Sequence, residues 1–259
     1  MHRIAKSADW SIIRHWEEER LNRFPNGRRA IWHAGDVLAT YFDQVEHFRR
    51  VHGLGPSKMK HWPAITEFFG QFGQSFLIDL HAADGLAFEK PLELLYRNTL
   101  VCMDIRDHTI CERTLRPGEG WTIMPVGANN ISIFSEIYLT CFEANSTPWE
   151  IAQENINSLL GLAGWHPWLV KKGDQFAGCY SLFMRGDTAF LSSGATLPAF
   201  RNLGLQKLMI AYRLSEAQTL GAVNAVSYGF TGGPSVANLI KLGFSESHEK
   251  LTYRYRFTE

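Results

Sequence analysis

The spacing of apolar positions changes period along this chain, and each change marks the end of an element. Near the N-terminus Ile12, Ile13 and Trp16 share one side of a helical period behind Asp9, a capping residue, and the Pro25-Asn26-Gly27 turn ends the run. Leu38, Tyr41, Phe42, Val45 and Phe48 also recur at helical spacing, yet Arg29 to Ala34 and Val37 to Phe42 fit two strands equally well. Pro63, followed by Ile65, Phe68 and Phe69 and closed by Gly70, predicts a short helix, and Ser75 to Leu80 a buried strand. The rings of Phe68, Phe69, Phe72 and Phe76 read as ordinary core.

Arg116-Pro117-Gly118-Glu119-Gly120 is the strongest punctuation in the middle of the chain, because proline and glycine disfavour any regular element there. It divides the sequence into an expected N-terminal α/β domain, 1–119, and a second domain, 120–259. Beyond it Trp121 to Val126 reads as a strand. Ile131, Phe134, Ile137 and Tyr138 keep one helical face, and Pro148, Ile151 and Ile156 begin and continue another helix. His166 to Lys171, Gln175 to Met184 and Thr188 to Leu197 read as an antiparallel meander, joined by the Lys172-Gly173-Asp174 and Arg185-Gly186-Asp187 turns. A long helix is expected from Gln206 to Leu220, a strand from Ala222 to Tyr228, and a last helix from Pro234 with Gly243 as its terminal glycine. Leu251 to Phe257 completes the sheet.

Composition narrows the function classes. The 259 residues are 45% hydrophobic and 20% charged, enough apolar surface to form a core and too much for a disordered chain. Acidic and basic residues balance to a formal net charge of zero, so nothing drives the protein toward nucleic acid or a membrane surface. No apolar run is long enough to span a bilayer and no signal peptide is evident, which places the expected location in the cytoplasm. Cys102, Cys111, Cys141 and Cys179 form no CxxC pair, and His108 with Cys111 is a lone ligand-like spacing, so no metal is expected.

The chemistry-bearing segment runs from Ala195 to Met209. A strand enters a tight loop containing Gly204, and the loop opens directly into an amphipathic helix. The unsatisfied N–H groups at such a helix start, at the positive end of its dipole, suit a pyrophosphate, with Gly204 permitting close approach and Arg201 adding charge-assisted bonds. The order of elements after Trp121, together with Arg201-Asn202-Leu203-Gly204-Leu205 set against a Q/R-x-x-G-x-G/A signature, resembles the GNAT (GCN5-related) N-acetyltransferases. Pro198, Phe200 and Leu208-Met209-Ile210 fall where that family's pattern expects them. Gln206 departs from the last small residue of the signature and is expected to crowd the loop.

The resemblance implies an α/β (α+β) fold, with a mixed, mostly antiparallel sheet flanked by helices and a smaller N-terminal α/β domain, similar to a degenerate partial copy, in front. It implies acetyl-CoA as cosubstrate without a metal, held by Ala195, Thr196, Leu197, Arg201, Asn202, Leu203, Gly204, Leu205 and Gln206. The implied reaction is acetyl transfer to a primary amine of a small molecule or peptide, chiefly by approximation. The family's usual acid, a tyrosine, falls at Leu239 and a frequent asparagine at Gly232, so Tyr228 becomes the candidate catalytic acid. Those two departures keep open a catalytically silent acyl-CoA-binding or sensory module. Glu136, Tyr138 and the Trp165-His166-Pro167-Trp168 cluster are further candidates for the acceptor cleft, beside their bland readings as a solvated helix face and an aromatic corner. Acceptor identity and oligomeric state are not written in these motifs.

Overall fold

A computed structural model describes residues 10–88, 92–106, 120–142 and 147–257. The expected boundary at 116–119, His108, Cys111 and the cap at Asp9 lie outside them. In chain order the described strands are β1 (Arg29–Ala34), β2 (Val37–Phe42), β3 (Arg50–His52), β4 (Phe76–His81), β5 (Glu93–Asp104), β6 (Trp121–Pro125), β7 (Trp165–Lys172), β8 (Gln175–Arg185), β9 (Thr188–Phe190), β10 (Ala195–Thr196), β11 (Asn224–Phe230) and β12 (Ser245–Tyr255). The described α-helices are α1 (Ser11–Arg23), α2 (Trp62–Gly70), α3 (Ile131–Phe142), α4 (Trp149–Asn157), α5 (Leu205–Thr219) and α6 (Pro234–Lys241).

All these strands join one sheet in the order β1-β2-β3-β4-β12-β5-β11-β9-β8-β7-β6, with β10 on β8. Only β3 with β4 and β9 with β11 run parallel. The sheet is therefore mixed and mostly antiparallel, with helices on both faces, as expected. Its two faces alternate along each strand as the pleat requires. Cys179, Phe183, Phe190 and Val226 pack toward α1, α3 and α4, while Tyr180, Leu182, Ala189 and Ala225 pack toward α5 and α6. A third core joins β2, β4 and α2 through Phe42's neighbour Tyr41, Ile65, Phe69 and Phe76.

The ambiguous N-terminal segment is a hairpin of β1 and β2 around Gly35-Asp36, and β2 is buried on both faces, which is why its apolar residues ignore strand alternation. At the other end of the chain Gly243 (φ 100°) stops α6, and the N–H of Phe244 donates to the Leu239 carbonyl at 3.2 Å, the closing bond of a Schellman motif.

Two differences from the sequence reading matter for function. The expected strand from Thr188 to Leu197 breaks into β9 and β10, because Ser193 adopts φ 40° and turns the backbone out of the ladder between them. Sequence reading also placed no element at Glu93–Asp104, where β5 lies between β11 and β12 and pairs with both. A strand from before residue 119 thus sits inside the sheet formed by strands after it.

Candidate active-site cleft

The break after β9 opens the sheet. β9 pairs with β11 only as far as Phe190, with one further bond from the Leu191 N–H to the Val226 carbonyl at 2.9 Å. Beyond that point β10 pairs with β8, and Ser227 to Phe230 pair with β5, so the facing edges of β10 and β11 are not joined by a ladder. Gly178 on β8 permits β10's position, since a Cβ there would lie 2.6 Å from the Ala195 carbonyl oxygen. Arg213 of α5 props the turn from beneath. Its Nη1 donates to the carbonyls of Ser181 and Ser192, both at 3.0 Å, and its Nε to that of Met209. Burial lowers its pKa to about 10.

The segment expected to hold acetyl-CoA is contiguous along one rim of this opening. Ala195 and Thr196 form β10, Leu197 leads into a single 3-10 turn at Pro198–Phe200, Arg201 to Gly204 form the loop, and Leu205 and Gln206 begin α5. Asn202 (φ 63°) and Gly204 (φ 81°) both take the left-handed conformation, and the space where a Gly204 Cβ would point is empty. The start of α5 has no side-chain cap, so its first-turn N–H groups face outward unclaimed by any capping oxygen. Arg201 is exposed, and its Nε donates to the Thr196 carbonyl at 3.2 Å. Gln206 does not crowd the loop, because its side chain bonds Ser235 Oγ (3.0 Å) and Asn238 Nδ2 (2.7 Å) on α6.

A cavity of about 600 Å³ occupies the opening and reaches both faces of the sheet. On the α5 and α6 side it touches Gln206, Ile210, Ser235 and Leu239; on the other it touches Trp16, Phe48 and Tyr138. Tyr228 lies on its wall, stacked on Phe190 with ring centroids 5.8 Å apart and with Lys250 Nζ 4.8 Å over its ring. Burial and the neighbouring Glu17 charge push its phenol far above the usual range, so it keeps its proton. Leu239, also on the wall, is 2% exposed and carries no group able to exchange a proton.

The remaining candidates separate cleanly. Tyr138 lines the cavity, whereas Glu136 is exposed on the far side of α3. The Trp165 to Trp168 run is structural but divides between the two faces of the sheet and forms no single corner: Trp165 packs against Trp16 and Phe134 on one, Trp168 against Tyr212 on the other, and His166 stacks on Trp168 outside the cavity wall. Among the described residues no three His, Cys, Asp or Glu side chains gather as a metal-binding group.

Sequence reasoning missed the charged wall of the cavity, made by Glu17 and Arg20 of α1, His47, Arg50 of β3 and Lys250 of β12. A signal existed in α1. Ile13, Trp16, Leu21 and Phe24 outline a buried stripe, and Glu17 and Arg20 fall within it at helical spacing, both under 9% exposed. Behind the wall, Asp79 of β4 takes Arg50 Nη1 at 2.8 Å, Lys250 Nζ at 3.0 Å, Thr252 Oγ1 at 2.7 Å and His52 Nδ1 at 3.2 Å. Burial alone would raise the Asp79 carboxyl, but Arg50, Lys250 and His52 hold it well below the usual carboxylate range. Glu17 is likewise held ionised against burial by Arg20 and His47.

Solved structures with this architecture cover nearly the whole chain. The protein is similar to a GCN5-related N-acetyltransferase from Kribbella flavida (TM-score 0.69, 16% identity, 97% of each chain). It is also similar to a tandem GNAT protein from the clavulanic acid biosynthesis pathway (TM-score 0.61, 12% identity, 98% of this chain and 96% of that one). The fold is the GNAT fold. A GCN5-related N-acetyltransferase from Sphaerobacter thermophilus shares it across 88% of this chain and 75% of its own, at TM-score 0.62 and 11% identity. No family model and no curated protein matches the sequence itself. At these identities the likeness carries the GNAT fold and leaves the chemistry to the residues of the cleft.

Proposed function

We propose that the protein is an N-acetyltransferase that moves an acetyl group from acetyl-CoA to a primary amine. The observation supporting this is the opening between β10 and β11, continuous with the uncapped start of α5 at one rim and with a polar, charged chamber on the opposite face. That geometry suits a long cosubstrate with an anionic end and an acyl end, and a separate entrance for the acceptor. The donor set fits: Arg201 to Gln206 would hold the pyrophosphate through backbone N–H groups, and the unpaired edges of β10 and β11 would meet the pantetheine amides. Bound there, acetyl-CoA supplies an acyl carbon already activated as a thioester.

The protein's own residues then have three tasks. The cavity walls exclude bulk water and align the amine with the acyl carbon, the effect that supplies most of the rate in such a reaction. Glu17, kept ionised, attracts the acceptor's ammonium, whose proton leaves to water before attack. Tyr228, kept protonated, can donate a hydrogen bond to the departing thiolate, a role Leu239 cannot fill. Release of free CoA from acetyl-CoA across a panel of primary amines tests the reading. Leu239 and Gly232 favour a second one, a silent acyl-CoA-binding module, which a protein that binds acetyl-CoA and releases no CoA with any amine would establish.

A further inference from the structure

We infer that the acceptor chamber contains a carboxylate-binding subsite, so that the acceptor is an amine that also carries a carboxylate, of the amino-acid class. The inference rests on the acetyl-transfer reading of the same cavity. It comes from the distribution of charge on the chamber wall. Among the described residues Arg20, Arg50 and Lys250 face the chamber as cations, and Glu17 is the single carboxylate that lines it. Asp79 stands behind the wall and is already shared among Arg50, Lys250, His52 and Thr252. Counting Asp79, three cations meet two anions, and one positive charge is left over in a buried space.

Burial makes that excess expensive unless an anion arrives to meet it. His47 does not add to it, since burial and the adjacent Arg50 keep its imidazole below its ordinary pKa and so neutral near pH 7. Arg213 also touches the cavity, but its guanidinium is engaged by three backbone carbonyls under the β9–β10 turn, at the thioester end. Arg20 is the residue placed to bind. Its guanidinium lies 5.3 Å from the Trp16 ring and 4.9 Å from the Phe48 ring, which fix its plane. Its ion pair with Glu17 is long, 3.4 Å, and Glu17 is its only carboxylate partner among the described residues. A planar fork held flat between rings, with a loosely engaged edge, matches a planar carboxylate in geometry. Glu17 beside it meets the amine end, and once the ammonium proton has left to water the acceptor carries one negative charge, which meets the single surplus cation.

The experiment compares α-amino acids with their carboxamides, pairs that differ only in the anionic group, at saturating acetyl-CoA. The preferred acid is expected to show kcat/KM at least tenfold above its amide. Arg20→Gln should raise KM for that acid at least tenfold while acetyl-CoA affinity stays within twofold. Lys250→Gln, at a partly exposed position that leaves the α1 packing intact, should raise it about threefold and serves if Arg20→Gln does not fold. Amides turned over within twofold of their acids, or faster, would overturn the subsite while sustaining acetyl transfer. If no amine turns over, acetyl transfer itself fails, and calorimetric titration of the same pairs decides the subsite: tighter binding of acids supports it, and equal or absent binding removes it.

Discussion

The two ends of the cavity are built in opposite ways. The α5 end is made mainly of backbone from one run of residues, Ala195 to Gln206, with Arg201 as its one charged side chain and no side-chain cap on α5. The acceptor end is made of side chains from α1, β3, β4 and β12 and the turn before β3, buried and mutually charged. A site of backbone N–H groups depends on local conformation and tolerates change in most side chains. A site of buried charges depends on every partner at once, because removing one leaves another unpaired in a medium of low dielectric.

The largest effect should therefore come from the acceptor end. Asp79→Ala leaves Arg50 and Lys250 without their shared carboxylate and is expected to cost about 3–5 kcal/mol, read by chemical denaturation. A cost below about 1 kcal/mol would mean that the cluster is solvated and not a coupled unit. The same carboxylates set the acid limb of stability. Because Asp79 and Glu17 have folded-state pKa values below their unfolded ones, their contribution is complete above the unfolded values of about 4 and is lost as pH falls through the folded ones. Asp79→Ala should flatten that limb.

At the α5 end, Gly204→Glu places a side chain on a left-handed backbone and a negative charge at an anion site, with empty space around it to limit damage to the fold. Acetyl-CoA affinity is expected to fall at least tenfold by calorimetry, with a melting temperature only slightly lowered. An unchanged dissociation constant would make the loop a plain connection. The smallest effect belongs to the junction of the two ends. Tyr228→Phe removes a hydroxyl and keeps the stack on Phe190, so kcat should fall about tenfold, short of the roughly 10²–10⁴-fold of a full proton donor, with acetyl-CoA affinity unchanged. A loss under threefold would leave the departing thiolate to water alone.

The same contrast explains what could be read beforehand. The loop, α5 and the Gly243 stop were legible because glycine conformation, capping and helical period act over a few residues. The hairpin of β1 and β2 stayed ambiguous because a strand buried on both faces shows no alternation. Glu17 and Arg20 gave a visible signal, two charges inside an apolar stripe, but their partners Arg50, Asp79 and Lys250 lie on other elements.

By itself the sequence determined the kinds and order of most elements in the C-terminal half and the conformation of the loop at Gly204, since each follows from residues close together in the chain. Only the tertiary structure decided that β5 enters between β11 and β12, that the strand after Thr188 breaks at Ser193, and that Glu17, Arg20, Arg50 and Lys250, with His47, form one chamber wall. Strand order and burial depend on which distant surfaces exclude water together, and that is a property of the whole packed chain.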